Sequence, residues 1–501
     1  MGNRLIYLYH SRHSANQMKN FQVAIIGGGV IGSAIAWELS KYAVDVVVFE
    51  KGSDVASGAS KANSGVIHSG INSVPSSLKA RFCVKGNQMF QSLANELDFQ
   101  VHWIGKYVIA KNEDEVKELE RLREVGMKNK VPGLEIINEA SVKAKEPNVA
   151  CYAALWVPAA GIVEPYEFTI ILAENAADNN VRFLLETKVI DLKKQKDCFI
   201  IKTNRGDFQA QFIVNAAGLN CREIVLMLEE PDFYVYPCRG EYLVLDKSYR
   251  SLIKSMIYPV PEKDIDVLGI HVTPTVEGNI LLGPSADFID DPDDKRTTKE
   301  TMKLLFNEAK KIIPMLPNKA VINAFAGIRC KLASKKEGGW TDYRIEESKT
   351  TSGLINLLGI ESPGLTAAPA IAKEVMQMVS QHIDLKCKKI FKPRKKGKRF
   401  SELSEREQAM LIKKDERWGR IVCRCEHVTE MEVIQALSNP LGAKTISSVK
   451  YRCRAGMGRC QGGFCTQHII KIMENQFGMN INDIKMQSPD SNLFYGRTRD
   501  I

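Results

Sequence analysis

The sequence predicts an α/β protein with two unlike parts, a nucleotide-binding domain at the start and a small cysteine-containing domain at the end. Near the start, the apolar run VAII is followed by a glycine turn at residues 27–32 (GGGVIG), and Glu50 closes a second apolar run. Near the end stand four cysteines in Cys-x-Cys and Cys-x4-Cys spacing, namely Cys423, Cys425, Cys460 and Cys465. The first pattern is typical of a Rossmann-type dinucleotide site, and the second of a four-thiolate metal or iron–sulfur site.

The composition is that of a globular protein with several domains. The 501 residues are 44% hydrophobic and 26% charged, which is ordinary for such proteins. The twelve cysteines are not densely spaced and no secretory signal precedes them, so we expect a cytoplasmic protein with reduced thiols. The longest apolar stretch, residues 23–37, is too short to cross a bilayer, and no transmembrane segment is predicted.

The net charge of +10 is concentrated in residues 386–399, which hold nine Lys/Arg and no acidic residue. We prefer to interpret this segment as a solvated linker face. The alternative is a docking strip for an acidic partner protein or, through peripheral contact, an anionic membrane surface. No aromatic residues alternate with a basic face elsewhere, so nucleic acid is not an expected partner. Residues 1–20 also lack acidic side chains, and we interpret them as an N-terminal extension.

The segment 21–50 predicts a strand, the glycine turn, a helix over 31–41 and a second strand over 44–49. Glycines let the backbone approach a pyrophosphate at the helix N-terminus, and Glu50 is placed to accept hydrogen bonds from the adenosine ribose. The small-residue loop 57–65 favours FAD over NAD, because a long cofactor needs backbone surface. Helices predicted over 113–125 and 299–313 indicate that a substrate region is built from insertions.

These strings resemble the glycine-oxidase/D-amino-acid-oxidase class of flavoproteins, within it the branch of L-2-hydroxyglutarate dehydrogenase and the A subunit of anaerobic glycerol-3-phosphate dehydrogenase. The motifs that carry the resemblance span about residues 21–375 and are 27–32, 63–70 (NSGVIHSG), 214–218 (VNAAG), 239–242 (RGEY), 268–274 (LGIHVTP), 282–284 (LGP), 325–329 (FAGIR) and 359–366 (GIESPGLT). The resemblance implies a Rossmann-type FAD-binding domain with an inserted α+β substrate domain.

The resemblance also implies a domain order and a set of cofactor contacts. The expected segments are the extension 1–20, the oxidoreductase domain 21–380 (FAD-binding parts about 21–75, 181–225 and 326–380, insertions about 76–180 and 226–325), the basic linker 381–417, the [2Fe-2S] domain 418–477 and a tail 478–501. The residues predicted to bind FAD are Gly27, Gly29, Gly32, Glu50, Ser60, Ser64, Gly65, Val189, Ala217, Gly218, Gly364, Leu365 and Thr366.

The C-terminal block, residues 422–429 (VCRCEHVT) with 454–465 (RAGMGRCQGGFC), resembles the small helical bacterioferritin-associated-ferredoxin-like [2Fe-2S] domain. Spacing alone leaves zinc open, although a Cys-x-Cys pair is less typical of zinc knuckles. Cys453 lies outside the motif and is predicted to be a packed thiol. The glycerol-3-phosphate branch carries this domain behind its flavin domain, whereas the flavin-domain strings are more similar to the hydroxyglutarate enzymes.

Arg329 is the predicted substrate anchor. In the resembling family the arginine of this Gly-x-Arg string holds the substrate's carboxylate or phosphate, which a planar guanidinium binds by two parallel hydrogen bonds. The alternative is an arginine paired with a structural carboxylate. The family usually has proline after this arginine, so Cys330 leaves the local loop shape open.

Oxidation of a secondary alcohol also needs a base for the hydroxyl proton, and histidine is suited to that near neutral pH. Two of the eight histidines, His68 and His271, stand inside flavin-domain motifs. We prefer His271 as the base, since it lies on a strand expected to face the substrate. His68 lies in the loop expected beside the flavin, which it could alternatively tune or attach. A structural role is the alternative for each.

The combination predicts an FAD- and [2Fe-2S]-dependent dehydrogenase of a small anionic alcohol, with sn-glycerol 3-phosphate as the leading substrate. The expected electron acceptor is a partner flavoprotein or a quinone-linked carrier. The alternatives are a dehydrogenase of L-2-hydroxyglutarate, more distantly an amine or imino-acid oxidising enzyme, and a non-enzymatic sensor or interaction subunit that retains its flavin.

Overall fold

The computed structural model describes residues 19–261, 269–395 and 397–496, in which most strands belong to two large sheets. The predicted extension therefore lies outside the described residues except for its last two positions. The first sheet comprises β1 (Lys19–Ile26), β2 (Val46–Phe49), β9 (Arg182–Leu184), β10 (Val189–Lys194), β11 (Phe199–Thr203), β12 (Gly206–Asn215), β19 (Arg344–Glu347) and β20 (Leu354–Leu358). The second comprises β5 (Lys106–Ala110), β6 (Glu135–Asn138), β7 (Ala153–Val157), β13 (Tyr236–Leu245), β14 (Met256–Pro259), β15 (His271–Pro274), β16 (Ile280–Gly283), β17 (Asp287–Phe288) and β18 (Val321–Lys331).

Smaller sheets and the helices complete the described part of the chain. The smaller sheets are β3 (Val66–Ile67) with β4 (Val101–His102) and β8 (Gly161–Val163), and β21 (Ile421–Cys423) with β22 (Val428–Thr429). The helices are α1 (Val30–Leu39), α2 (Leu78–Leu97), α3 (Glu113–Lys128), α4 (Glu139–Lys145), α5 (Pro165–Asp178), α6 (Cys221–Leu226), α7 (Lys299–Ile312), α8 (Gly364–Ser380), α9 (Glu405–Lys414), α10 (Glu430–Leu437), α11 (Ile446–Cys453) and α12 (Thr466–Phe477). Among these helices, none is both long and apolar enough to cross a bilayer.

The first sheet is the nucleotide-binding fold. Strand β1 pairs in parallel with β2 on one side and with β12 on the other, and β2 pairs in parallel with β9. The strands β2 and β20 and the second half of β1 are short, fully buried apolar runs, as expected of parallel strands covered by helices. Helix α1 connects β1 to β2, and α2, α5 and α8 join it in one apolar core. The predicted α/β class is therefore confirmed.

The second sheet is the substrate domain, and its two faces differ in composition. Alternate residues such as Leu243, Ile257 and Val272 point to one face and pack with α7 in an apolar core. The residues between them point to the opposite face, because side chains alternate along a strand. That opposite face lies against the nucleotide-binding domain, where Ala62 of the small-residue loop touches Gly327.

Three predicted segment boundaries differ from the structure. Strand β18 pairs with β13 along its whole length, so the substrate sheet continues to Lys331 and does not end near residue 325. The first predicted insertion, 76–180, begins and ends with α2 and α5, which belong to the core of the nucleotide-binding domain. A helix-period pattern alone does not indicate which sheet the helix covers, so these boundaries needed the tertiary structure.

The predicted basic linker and tail are packed against neighbouring residues. Within the linker, Arg394 is paired with Glu174 and Asp178, and Arg399 with Glu277 and Glu402. The interpretation of residues 386–399 as a solvated face therefore holds for exposed lysines such as Lys386, Lys389 and Lys395. It does not hold for Arg394 and Arg399, which form ion pairs within the chain. The predicted tail is likewise not loose, since Ile484 is fully buried in the core of the C-terminal domain.

Candidate active site and cluster-binding site

The glycine turn leaves no room for side chains where β1 passes into α1. Gly27 has a φ of +112°, and a Cβ on it would lie 2.4 Å from the carbonyl oxygen of Ala216. A Cβ on Gly32 would lie 2.0 Å from the carbonyl oxygen of Gly27. Only glycine allows the turn, the helix and the end of β12 to approach this closely. The arrangement leaves backbone N–H groups as the surface that a cofactor meets.

The N-terminus of α1 fits a pyrophosphate. Gly29 is the N-cap residue and provides no side-chain cap, and the N–H of Val30 donates to Ser60 Oγ at 2.8 Å. A Cβ on Gly29 would meet only Ser60 Oγ, at 3.1 Å. The first turn contains no acidic residue, so the positive end of the helix dipole is available to an anion.

Glu50 follows β2 and is held in a fixed orientation. Its Oε2 accepts from the N–H of Gly28 at 2.7 Å, and its Oε1 accepts from the N–H of Gly52 at 2.7 Å and from Ser57 Oγ at 3.1 Å. An ionised carboxylate has about four acceptor positions. Glu50 can therefore still accept a ribose hydroxyl, although the sequence did not indicate that it also orders the glycine turn.

The small-residue loop connects the cofactor side to the substrate sheet. Gly65 has a φ of +66°, and a Cβ on it would lie 2.3 Å from the carbonyl oxygen of Val163. Ser64 Oγ lies 3.3 Å from the hydroxyl of Tyr242. Tyr242 belongs to the RGEY motif, and its contact with Ser64 was not expected from the sequence.

Two further predicted FAD residues, Ala217 and Gly218, follow the end of β12. Gly218 has a φ of +58° and open space where a Cβ would lie. Ala217 is a close neighbour of Gly27, so this turn adjoins the glycine turn. The third, Val189, opens β10 opposite Thr203 and is buried in the same apolar cluster as Ala217.

The last predicted FAD residues begin helix α8. Gly364 is its first residue and Leu365 packs against the core of the nucleotide-binding domain. Thr366 Oγ1 accepts from the N–H of His68 at 2.9 Å and donates to the carbonyl oxygen of Val66 at 3.2 Å. The start of α8 is thus fixed to the loop that carries His68.

The face of the substrate sheet that lies against the nucleotide-binding domain carries most of the polar chemistry, and we name it the polar face. Strand pairing aligns its members, because residues directly opposite in neighbouring strands share a face. Its members are Lys106, Tyr242, Tyr258, His271, Phe325 and Arg329. Ring contacts agree with this alignment, since Tyr242 stacks on Phe325 and Tyr258 stacks on His271.

Arg329 is half-buried on the polar face. Its guanidinium donates to the carbonyl oxygen of Ser285 at 3.2 and 3.3 Å and lies 3.7 Å from Cys238 Sγ. Within the described residues it forms no ion pair with a carboxylate, which does not support the alternative of a structural pair. Cys330 continues the strand opposite Pro237, so the replacement of the family's proline leaves β18 regular.

Both predicted histidines lie at this interface and are neutral. Burial lowers the pKa of His68 to about 3, with a further contribution from Lys106. Burial also lowers the pKa of His271 well below its usual value, and His68, Lys106 and Arg329 add to the shift. His271 Nδ1 lies 2.8 Å from Thr273 Oγ1, and His68 Nε2 lies 3.4 Å from Ser362 Oγ. A neutral imidazole is the form that accepts a proton.

A buried charge group beside Arg329 was not predicted from the sequence. Glu361 accepts from Lys79 Nζ at 2.9 Å and from Lys331 Nζ at 3.1 Å. Burial alone would raise the pKa of Glu361, but Lys79 and Lys331 lower it, so the carboxylate stays ionised. The only sequence signal was the position of Glu361 inside the GIESPGLT string.

The four motif cysteines form two pairs. Cys425 Sγ lies 3.7 Å from Cys460 Sγ, and Cys423 is hydrogen-bonded to Cys465. Two thiolates on one tetrahedral metal with bonds of about 2.3 Å lie about 3.8 Å apart. Among the described residues no three potential ligands form a single group. The four thiols thus come together as two close pairs, and four cysteine thiolates are the ligand set of a [2Fe-2S] cluster.

Local geometry supports the thiolate state of Cys423 and the close approach of these loops. A hydrogen bond from Cys465 and several from backbone N–H groups lower the pKa of Cys423 to about 6, although its burial opposes the shift. A Cβ on Gly458 would lie 2.1 Å from Cys425 Cβ. Cys453 is buried and contacts the carbonyl oxygen of Val449, as a packed thiol would.

The cluster domain is seated on the flavin side of the molecule through two arginines. Arg454 is buried and its Nε donates to Glu426 at 2.8 Å, while one Nη donates to the hydroxyl of Tyr166 at 2.9 Å. Glu277 and Glu164 lie 3.4 and 3.6 Å from the same guanidinium. These residues, together with Arg452, Asp54, Glu174 and Met457, form what we name the junction.

The second arginine of the junction binds the loop that follows β2. Arg452 pairs with Asp54 and, at 2.7 Å, with Glu174 on α5. Close by, the hydroxyl of Tyr166 lies 3.3 Å from Met457 Sδ, in the loop that leads to Cys460. The cysteine loop is therefore in direct contact with the start of α5, which adjoins Gly65.

Comparison with known proteins assigns a family to each of the two parts of the chain. The family model described as FAD dependent oxidoreductase matches residues 22–378, and the model described as BFD-like [2Fe-2S] binding domain matches residues 421–475. The chain therefore belongs to the FAD-dependent oxidoreductases and carries a BFD-like [2Fe-2S] domain. The predicted enzyme class and both predicted cofactors, FAD and a [2Fe-2S] cluster, are confirmed.

Three individual proteins are similar to this chain over most of its length. The glycerol 3-phosphate dehydrogenase of Caloramator mitchellensis is 40% identical over 96% of this chain and 99% of its own length. The mitochondrial L-2-hydroxyglutarate dehydrogenase of Arabidopsis thaliana is 30% identical over 70% of this chain and 82% of its own length. A structure of dithionite-reduced L-α-glycerophosphate oxidase from Mycoplasma pneumoniae with FAD bound is 29% identical, with a TM-score of 0.71, over 75% of this chain and 98% of that chain.

Proposed function

We propose that this protein is a dehydrogenase that oxidises sn-glycerol 3-phosphate to dihydroxyacetone phosphate. The observation that carries the proposal is the 40% identity, over both domains, to a glycerol 3-phosphate dehydrogenase. The polar face supports an anionic substrate, because Arg329 points its donors there without a carboxylate partner among the described residues. When bound, FAD supplies the hydride acceptor and the [2Fe-2S] cluster a one-electron acceptor.

The chain's own residues bind the substrate and take its proton. Arg329 holds the phosphate by charge-assisted hydrogen bonds. The sequence favoured His271 as the base, but we propose His68, because His271 is 3% exposed and its Nδ1 is already engaged by Thr273. His68 is more accessible and is fixed at the start of α8 through its N–H. A bound phosphate would raise the pKa of His68 from its low value, which improves it as a proton acceptor.

We further propose that electrons leave through the cluster to a partner flavoprotein or a quinone-linked carrier. Support comes from the junction, where Met457 of the cysteine loop touches Tyr166 of the flavin domain. Buried arginines hold this contact in place, so the cluster domain is packed against the flavin domain and is not joined to it by the linker alone. The basic segment 386–399 is less available for docking than its composition indicates, because Arg394 and Arg399 are ion-paired.

The second candidate substrate is L-2-hydroxyglutarate. It is favoured by relatives such as the human mitochondrial L-2-hydroxyglutarate dehydrogenase, which is 34% identical over 53% of this chain. A dicarboxylate also suits a site with more than one inward-facing cation. Oxidation of a 2-hydroxy acid would need the same base and the same Arg329 contact.

Anaerobic bleaching of the flavin separates the candidates. The purified protein is mixed with sn-glycerol 3-phosphate, L-2-hydroxyglutarate, L-lactate, glycine or L-proline in the absence of oxygen. The proposal expects sn-glycerol 3-phosphate to bleach the flavin at the lowest concentration. Faster bleaching by L-2-hydroxyglutarate would replace it with the second candidate, and bleaching only by an amino acid would contradict both.

A further inference from the structure

Lys106 is a buried cation on the polar face that the sequence did not single out. It is the first residue of β5, it is 3% exposed, and it stands opposite Met256 in the parallel pair with β14. That register directs its side chain to the same face as Tyr258. The ammonium nitrogen lies 4.6 Å from the centre of the Tyr258 ring.

The chain does not neutralise this cation. Among the described residues Lys106 has no hydrogen bond and no ion pair, and its ammonium group contacts only the ring of Tyr258. The titratable groups around it are Cys83, His68 and His271, and burial keeps each of them uncharged. An ammonium group taken out of water without a counter-ion costs several kcal/mol.

Two other buried lysines show how the chain neutralises a charge that serves structure. Lys79 and Lys331 lie near the same site, and both donate to the carboxylate of Glu361. A lysine that only filled space at position 106 would gain nothing from its charge. Burial lowers the pKa of Lys106 to about 8, so the ammonium form still dominates at neutral pH.

The order of strands relates Lys106 to the predicted substrate anchor. Along the sheet β18 is followed by β13, β16, β15, β14 and β5, so His271 on β15 lies between Arg329 on β18 and Lys106 on β5. Both cations contribute to the shift of the His271 pKa, which means that both reach toward it. Neighbouring strands are about 4.8 Å apart, so the backbones of β18 and β5 lie about 14 and about 10 Å from that of β15, and the long side chains of Arg329 and Lys106 cover part of each distance.

We propose that Lys106 binds an oxyanion of the substrate, as a second cation that faces Arg329 across the site. The proposal rests on the function proposed above and specifies how a small anionic alcohol is held. The shared chemistry is a phosphate or carboxylate oxygen, and the choice of alcohol in the test distinguishes these two sources. Substrate binding then supplies the counter-ion that the folded chain lacks.

The test compares Lys106→Met, Lys106→Arg and a matched control, Lys145→Met. Lys145 also lies over an aromatic ring, Trp156, at 5.5 Å, but it is exposed. The apparent Kd is taken from the rate of anaerobic flavin reduction against the concentration of sn-glycerol 3-phosphate and, separately, of L-2-hydroxyglutarate. The alcohol that bleaches the wild-type flavin is then used as the probe for the variants. If sn-glycerol 3-phosphate proves not to be the substrate, the role of Lys106 is still tested with the other alcohol.

Lys106→Met should raise the apparent Kd about 10- to 150-fold, Lys106→Arg should restore most of the affinity, and Lys145→Met should leave it unchanged. Thermal unfolding gives a second readout that does not depend on turnover. Without substrate, Lys106→Met should melt at or above the wild-type temperature, and the added alcohol should raise its midpoint less than that of wild type. Lys106→Gln serves as the second uncharged variant if the methionine variant does not fold.

Two outcomes would overturn the proposal. One is an unchanged Kd in a flavin-replete uncharged variant. The other is loss of flavin from the variant with unchanged affinity in the remaining holoenzyme, which would assign Lys106 to the cofactor.

Discussion

Two arginines that point inward show how the substrate side and the junction differ. Arg454 lies among four oxygen-bearing side chains, namely Glu164, Tyr166, Glu277 and Glu426. Among the residues that the structure describes, Arg329 donates only to a backbone carbonyl and approaches a thiol. A guanidinium whose donors are satisfied by acids stabilises the fold, whereas one with unused donors is available to a ligand. The same residue type therefore serves structure at the junction and recognition on the polar face.

The largest expected effect is loss of the [2Fe-2S] cluster from the domain that the junction holds in place. Replacing Cys460 and Cys465 by serine removes one thiolate from each of the two pairs, so the cluster should be lost. Iron and acid-labile sulfide should fall close to zero while substrate still bleaches the flavin. Cys387→Ser, at an exposed cysteine outside the motif, is the control. Retained iron, or a reduced-cluster signal on addition of substrate to the double variant, would contradict the ligand assignment.

Arg454→Met tests whether the junction is structural. Removing the arginine leaves Glu164, Glu277 and Glu426 without their shared cation, which costs about 3–5 kcal/mol for a buried network. We expect a lower urea midpoint, and slower reduction of the cluster by substrate, with normal flavin content. Arg459→Met is a control in the same loop, since the side chain of Arg459 is 82% exposed. Equal midpoints in the two variants would mean that the network does not hold the domains together.

Arg329→Ala tests the recognition side. A charge-assisted contact of this kind contributes roughly 1.5–3 kcal/mol, so the apparent affinity for substrate should fall about 10- to 150-fold. Stability should change less than in Arg454→Met, because the nearby carboxylate of Glu361 keeps its direct contacts with Lys79 and Lys331. Arg296→Ala, at an exposed arginine paired with Asp294, is the control. A large fall in the urea midpoint for Arg329→Ala would mean that Arg329, like Arg454, stabilises the fold, and would contradict the difference between them.

The smallest expected effect is on the pH dependence of stability, which should have opposite signs at the polar face and at the junction. Beside the polar face, burial lowers the pKa of His68 to about 3, so the unfolded chain takes up its proton first and stability falls as the pH drops below about 6.5. At the junction, burial raises the pKa of Glu164 to about 7, against the effect of Arg454. The folded chain therefore binds that proton first, and stability rises as the pH falls from 7 toward 4.5.

Each contribution amounts to about 1–2 kcal/mol at pH 5.5. It is measured as the change in urea midpoint between pH 7 and pH 5.5. His68→Gln should make that change less destabilising, and Glu164→Gln should make it more so. The same direction of change in both variants would show that the two regions do not differ in this way.

Much of both cofactor sites was predictable because their signals are local. The glycine turn, Glu50 and the cysteine spacings depend on residues close in sequence, and a turn that excludes every Cβ leaves a direct trace in composition. The helices α1, α3 and α7 were predicted for the same reason. The motif resemblance added Arg329 and the two histidines, although their roles stay predictions.

The tertiary structure alone decided which distant residues meet. Lys106 stands in an apolar run, and only the pairing of β5 with β14 brings it to the face that carries His271 and Arg329. Likewise, no local pattern relates Arg454 to Glu164 or Glu277, because charges far apart in sequence become neighbours only when two domains pack. Spacing within a segment thus predicted where the cofactors bind, whereas strand order and domain packing decided which buried charges meet a partner of opposite charge and which do not.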